Sequence, residues 1–67
     1  MVIDSEATAH EYALAWKREA SPTRAERFIR FAEESQRKIV ASLRSSGHVV
    51  RAEAHEGAVR VLQSYLA

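Results

Sequence analysis

The chain contains one proline, Pro22, and its surroundings mark the start of a helix. Ser21 before it can cap a helix, and proline is favoured at the first helical position because its missing N–H would have no partner there. Thr23 and Glu26 add the spacing of a capping box. The sequence therefore predicts that a helix begins at about residue 22.

The residues that follow carry the spacing of one long helix. Apolar side chains recur at steps of three and four, which keeps them on one helix face. They are Ala25, Phe28, Ile29, Ala32, Ile39, Val40 and Leu43. Gln36 interrupts this face, and Gly47 suits the left-handed position that ends many helices. We expect this helix to cover residues 22–46.

Two further helices are predicted, one on each side of it. Upstream, Asp4 or Ser5 can cap a helix over about residues 4–20. Its inner face is Ala9, Tyr12, Ala13, Trp16 and Ala20. Downstream, the spacing predicts a helix over about residues 50–66, although Gly57 within it costs about 1 kcal/mol relative to alanine. Its inner face is Ala54, Ala58, Val61, Leu62, Tyr65 and Leu66. The start of this helix is unclear, because no serine, threonine or aspartate follows Gly47 to cap it.

Length and composition limit the core that these helices can form. A chain of 67 residues makes one domain, and 12 of its hydrophobic residues are alanines, which bury little area. The absence of cysteine excludes a disulfide, which leaves self-association, a partner or low stability. We predict one all-α domain over residues 1–67, with three helices forming a compact bundle or an open helical array closed by dimerisation.

The charge pattern separates paired cations from free ones. The formal net charge is +1, but residues 24–47 carry six Lys or Arg against three Glu. Three of these cations follow a glutamate by four residues, the favourable order for ion pairs along a helix. They are Arg30, Arg37 and Lys38. Arg24, Arg27 and Arg44 lack such a partner. A solvated face explains this pattern, and a phosphate-binding surface of Arg24, Arg27 and Arg30 is the alternative.

Three large apolar residues fall outside the inner faces. At about 100° per residue, Phe31 lies beside Arg27 and Lys38 on the outer side of its helix, and Phe28 lies between the two directions. Leu14 is nearly opposite Trp16. Exposed aromatic residues flanked by cations are typical anchors of protein interfaces. We therefore predict Phe31, Phe28 and Leu14 as partner-binding residues, although isolated exposed apolar residues are also common.

Residues able to carry catalysis or hold a metal are not grouped in this sequence. His48 and His55 would be about 10 Å apart along a helix, too far to share one ion. We expect His55 at the edge of the core with its nitrogens satisfied, and His10 in a surface hydrogen bond with Glu6. With no cysteine and two glycines, the chain offers no thiol nucleophile and no phosphate-cradling loop, so no enzymatic activity, metal or cofactor is expected.

Residues 31–62 resemble the ribbon-helix-helix proteins, a family of dimeric DNA-binding repressors and antitoxins. The resemblance lies in a helix over residues 33–46, a turn at Gly47 and a second helix from Val50 onward. It implies that residues 24–31 form a strand that pairs with its copy and enters the major groove of DNA. The cap at Ser21 predicts a helix for the same segment.

These observations favour a non-catalytic helical module for protein–protein interaction or regulation, either a homodimer or the small subunit of a complex. The alternative is a DNA-binding transcriptional regulator or antitoxin of the ribbon-helix-helix type. Apolar runs are too short to cross a membrane, and no basic start followed by an apolar stretch suggests a signal peptide. We expect cytoplasmic residence, no membrane partner and no small-molecule substrate.

Overall fold

A computed structural model of the chain describes residues 2–67, and Met1 of the predicted domain lies outside the described residues. It contains the helices α1 (Glu6–Glu19), α2 (Pro22–Ser45) and α3 (Val49–Ser64). Residues 2–67 include no strand, so the prediction of an all-α fold with three helices is confirmed. Each predicted boundary lies within two residues of the observed one.

Side-chain caps explain where the first two helices begin. The Ser5 hydroxyl accepts the Thr8 backbone N–H at 3.3 Å, and the Thr8 hydroxyl accepts the Ser5 backbone N–H at 3.1 Å, which completes a capping box. Ser21 accepts the Arg24 backbone N–H at 3.3 Å, with Pro22 at the first helical position as predicted. The predicted box between Thr23 and Glu26 is wrong, because Thr23 lies inside the helix.

The turn between α2 and α3 depends on Gly47, which has a φ of +79°. The backbone N–H groups of Gly47 and His48 donate to the carbonyls of Arg44 and Leu43 at 3.1 and 2.9 Å. These bonds satisfy carbonyls that the end of a helix would otherwise leave free. His48 occupies the N-cap of α3 and makes no side-chain capping bond, which agrees with the unclear start expected from the sequence.

The helices run up, down and up around a thin core. α3 packs against both α1 and α2, and α1 contacts α2 least. Half of the buried cluster is alanine; it consists of Ile3, Ala9, Ala13, Ile29, Ala32, Ala58, Val61 and Leu62. Ile29 and Leu62 are the largest fully buried side chains. The prediction that Ala54 faces the core is wrong, because α1 does not extend far enough to cover it and it is exposed.

Gln36, the interruption in the apolar face of α2, is a buried polar link. Its Nε2 donates to the Ile3 carbonyl at 2.9 Å, and its Oε1 lies 2.6 Å from His55 Nδ1. Because Nε2 is the donating atom, Oε1 must accept, so His55 carries its proton on Nδ1. Gln36 thus joins the N-terminal segment, α2 and α3, and His55 lies at the edge of the core as predicted.

Gly57 leaves room on α3 for the Glu6 side chain of α1. A Cβ atom at this position would lie 2.8 Å from Glu6 Cγ, closer than non-bonded carbons come. A larger residue here would displace the Glu6 side chain from its position beside α3.

Candidate interaction surface

Four of the five aromatic residues of the chain follow one another across α1 and α2. Ring centroids of Tyr12 and Trp16 are 5.9 Å apart, and those of Trp16 and Phe28 are also 5.9 Å apart. Phe31 continues this row one turn further along α2. We call Tyr12, Trp16, Phe28 and Phe31 the aromatic surface.

Helix geometry explains why these residues meet. Tyr12 and Trp16 are four positions apart and share one face of α1, while Phe28 and Phe31 are three positions apart on α2. The two helices are joined by residues 20–21, so they run antiparallel, and the end of α1 lies beside the start of α2. The aromatic surface follows from this pairing.

Exposure increases along this row. Tyr12 and Trp16 are half-buried against the core, Phe28 is 39% exposed and Phe31 is 68% exposed. The prediction that Phe31 lies outside the core is confirmed, and so is the intermediate position of Phe28. Contacts of 4.5–7 Å between aromatic centroids stabilise such clusters, and they join Tyr12, Trp16 and Phe28, whereas Phe31 lies in solvent beyond them.

Basic side chains border the aromatic surface on α2. The Arg24 guanidinium lies 5.8 Å from the centre of the Phe28 ring, within range of a cation–π interaction. Arg27 stands one turn before Phe31. Within residues 2–67, neither arginine has a carboxylate oxygen within 4.0 Å. Lys38, two turns after Phe31, reaches Glu34 at 3.9 Å, and both side chains are mostly exposed.

The remaining cations of α2 are engaged. The predicted pairs Arg30–Glu26 and Arg37–Glu33 form, as does the pair at Lys38. Arg44 pairs with Glu56 of α3, a partner that spacing along one helix could not indicate. Arg30, grouped with Arg24 and Arg27 as a phosphate-binding residue, donates two hydrogen bonds to Glu26.

Leu14 is exposed but does not join the aromatic surface. It is 41% exposed, in agreement with the sequence. Leu14 and Trp16 are two positions apart, about 200° around the helix axis, and Trp16 faces Phe28. Leu14 therefore lies on the opposite side of α1, and one helical partner seated on Phe31 would not contact it.

The segment that the ribbon-helix-helix resemblance implies as a strand, residues 24–31, is helical and lies within α2. The cap at Ser21 and the helical apolar spacing determine its structure. Two helices joined by a turn at Gly47 are present as the resemblance requires. The family resemblance itself stays a prediction.

The histidines take part in separate contacts. His10 Nδ1 lies 2.9 Å from the Tyr65 hydroxyl of α3, so the predicted bond to Glu6 is wrong. His55 contacts Gln36. Among residues 2–67, no group of three or more histidines, cysteines or acidic residues has a geometry that could hold a metal ion.

None of the three described helices has both the length and the apolar character needed to cross a bilayer.

Comparison of the chain with protein-family models, with curated proteins and with solved structures finds no match. The aromatic surface and the charges around it are therefore the features of the molecule that indicate a function.

Proposed function

We propose that this chain is a non-catalytic helical interaction module that binds a second copy of itself or a different protein through the aromatic surface. The observation that supports it is the position of Phe31, which is 68% exposed in a protein whose core is half alanine. A thin core gains more than a thick one from large apolar residues, yet this chain holds Phe31 and part of Phe28 in solvent. An aromatic residue kept exposed on a supported helix is typical of an interface anchor.

The expected energy of that anchor follows from its exposed area. Complete burial of a phenylalanine side chain contributes about 1.5–3 kcal/mol, so covering the exposed part of Phe31 contributes about 1–2 kcal/mol. Phe28, which is less exposed, adds a smaller amount. Loss of Phe31 should therefore weaken an assembly about tenfold or more, since 1.4 kcal/mol is a factor of ten in affinity.

The test compares two exposed apolar residues on different sides of the molecule. The chain, labelled at its C-terminus, is sedimented alone over a concentration series and in extract of the cells that express it. We expect a species heavier than the 7.5 kDa monomer for the wild type and for Leu14→Ser, and loss of that species for Phe31→Ser. Helix content by circular dichroism should stay unchanged in both variants.

A monomeric mass for all three proteins under both conditions would contradict the proposal. Equal loss of the heavy species in Leu14→Ser and Phe31→Ser would place the contact elsewhere.

DNA binding is the alternative function. It is supported by Arg24 and Arg27, which have no carboxylate within ion-pair distance among residues 2–67, whereas Arg30 is held by Glu26. The alternative requires an affinity for duplex DNA that falls steeply with salt, because each neutralised phosphate releases counterions. Absence of binding at 50 mM salt would remove it.

A further inference from the structure

The border of the aromatic surface is basic on the α2 side. Arg24 and Arg27 lack a carboxylate partner among residues 2–67, and Lys38 has a single exposed contact at 3.9 Å from Glu34. Around Phe31 on α2 there are thus three cations and one carboxylate, that of Glu34. The other basic residues of α2 are neutralised by close partners. The positive charge of this helix is concentrated where its apolar side chain is exposed.

The dimensions of this border fit a helix. From Arg24 to Lys38 the border spans 14 residues of α2, about 21 Å at 1.5 Å per residue. A partner helix of about four turns, laid along α2 against Phe28 and Phe31, covers this length with anchors at positions i, i+3 or i+4, and i+7. The half-buried Trp16 ring beside Phe28 forms the floor of the site on the α1 side.

A second copy of the chain fits this site poorly. If two α2 helices crossed antiparallel at Phe31, residues seven positions before and after it would face each other, which places Arg24 against Lys38 of the other copy at both ends. A parallel arrangement places Arg24 and Arg27 beside their own equivalents. Like charges facing each other across an interface disfavour association. Charge complementarity therefore favours a different, acidic partner.

We infer that the aromatic surface takes an amphipathic helical segment of another protein, whose apolar face is flanked by carboxylates. This inference rests on the proposed function and names the chemistry of its partner. Phe28 and Phe31 would pack against the apolar face, while Arg24, Arg27 and Lys38 pair with the flanking carboxylates. Nucleic acid fits less well, because its affinity grows with the number of phosphates that cations neutralise, and this border offers three cations.

Two synthetic peptides of 18 residues test the inference directly. Both carry the same leucine face at helical spacing and no aromatic residue; one has glutamate and the other has lysine at the flanking positions. Binding is followed by the fluorescence of Trp16, the one tryptophan of the chain, which lies within the aromatic surface. We expect the glutamate peptide to bind at least about tenfold more tightly than the lysine peptide at 50 mM salt, with the difference falling at 0.5 M salt.

Variants of the chain separate the apolar contribution from the charged one. Phe31→Ser should weaken the glutamate peptide about tenfold, and Leu14→Ser should leave its affinity unchanged. The double variant Arg24→Glu with Arg27→Glu should reverse the order of the two peptides. This variant is expected to fold, because both positions are exposed and an acidic residue at position 24, in the first turn of α2, is favoured by the helix dipole.

Each remaining outcome overturns the inference. Equal affinity of the two peptides, or no binding of the glutamate peptide, excludes an acidic helical partner. A dimer of the chain that Phe31→Ser dissociates would show a second copy as the occupant, so the inference would fail while the proposed function stood. Displacement of the glutamate peptide by a single-stranded or duplex oligonucleotide at 0.15 M salt would indicate that the site binds nucleic acid. The inference and the proposed function would then both fail.

Discussion

Replacing Gln36 by leucine tests whether its buried amide holds the N-terminal segment in place. Leucine is similar in size, but it leaves the Ile3 carbonyl and the His55 Nδ1–H without their partner. A buried polar group without a partner costs about 1–3 kcal/mol. The carbonyl of the buried Ile3 contributes about 2 kcal/mol of this cost, and the N–H of the half-buried His55, which can turn toward water, contributes about 1 kcal/mol. Burial of the added apolar area offsets about 1 kcal/mol.

The net expectation for Gln36→Leu is a loss of about 2 kcal/mol in the free energy of unfolding. Domains of this length have about 3–10 kcal/mol in total, so the loss is a substantial part of it. Each kcal/mol shifts Tm by about 4–8 °C in a domain of this size, which gives a decrease of about 8–16 °C. Urea unfolding followed at 222 nm measures the free energy, and thermal unfolding measures the shift in Tm.

Two further variants control for side-chain size and for the histidine. Gln63 is an exposed glutamine on α3 whose Nε2 donates to Glu33 at 3.1 Å, so a Gln63→Leu variant shows the cost of losing an exposed amide contact, which should not exceed about 1 kcal/mol. A double-mutant cycle of Gln36→Leu with His55→Leu should give a coupling energy of about 0.5–1.5 kcal/mol. A Gln36→Leu protein as stable as the wild type would refute the reasoning, because the Ile3 carbonyl would then find solvent without the amide.

Two further predictions concern the ends of α2. Ser21→Ala should lower the free energy of unfolding by about 1 kcal/mol, because the Arg24 N–H loses its capping oxygen. Urea unfolding should show Ser21→Asp close to the wild type, and an unchanged midpoint for the alanine variant would argue against the cap. Gly47→Ala should cost about 1–2 kcal/mol from backbone strain alone, since φ is +79° and no atom of residues 2–67 lies within 4 Å of the new Cβ. Gly47→Asn should cost less in the same assay, and equal stability of all three proteins would count against a strained turn.

Local signals in the sequence were sufficient to predict the helices. The cap and proline at residues 21–22 and the positive φ needed near Gly47 act within one turn of the chain, so their effect can be read from neighbouring residues. The exposure of Phe31 was also predictable, because its angle around α2 depends on spacing within one helix. Three ion pairs along α2 follow from the same geometry.

Contacts between distant segments could not be predicted in this way. Gln36 interrupts an apolar pattern because its partners are 33 and 19 residues away, and no periodicity along α2 reports them. Gly57 was interpreted as a cost because the approach of Glu6 is a property of how α1 and α3 pack. The same limit applies to the aromatic surface. Trp16 contacts Phe28 only because α1 packs against α2, and Leu14 lies away from both because the opposite side of α1 faces α2.

The unequal lengths of the helices determine where the molecule opens. α1 has 14 residues and α2 has 24, and the N-terminal segment meets α2 at Gln36. From Arg37 to Ser45 α2 has no buried residue, and Val50 is 81% exposed at the start of α3. Segments with few buried apolar contacts open at a lower free energy than the whole domain. Near the two ends of the chain, by contrast, Gln36 holds the Ile3 carbonyl and His10 holds the Tyr65 hydroxyl. We therefore expect local unfolding to begin at the turn between α2 and α3, while the segments at Ile3 and Tyr65 stay attached to the core.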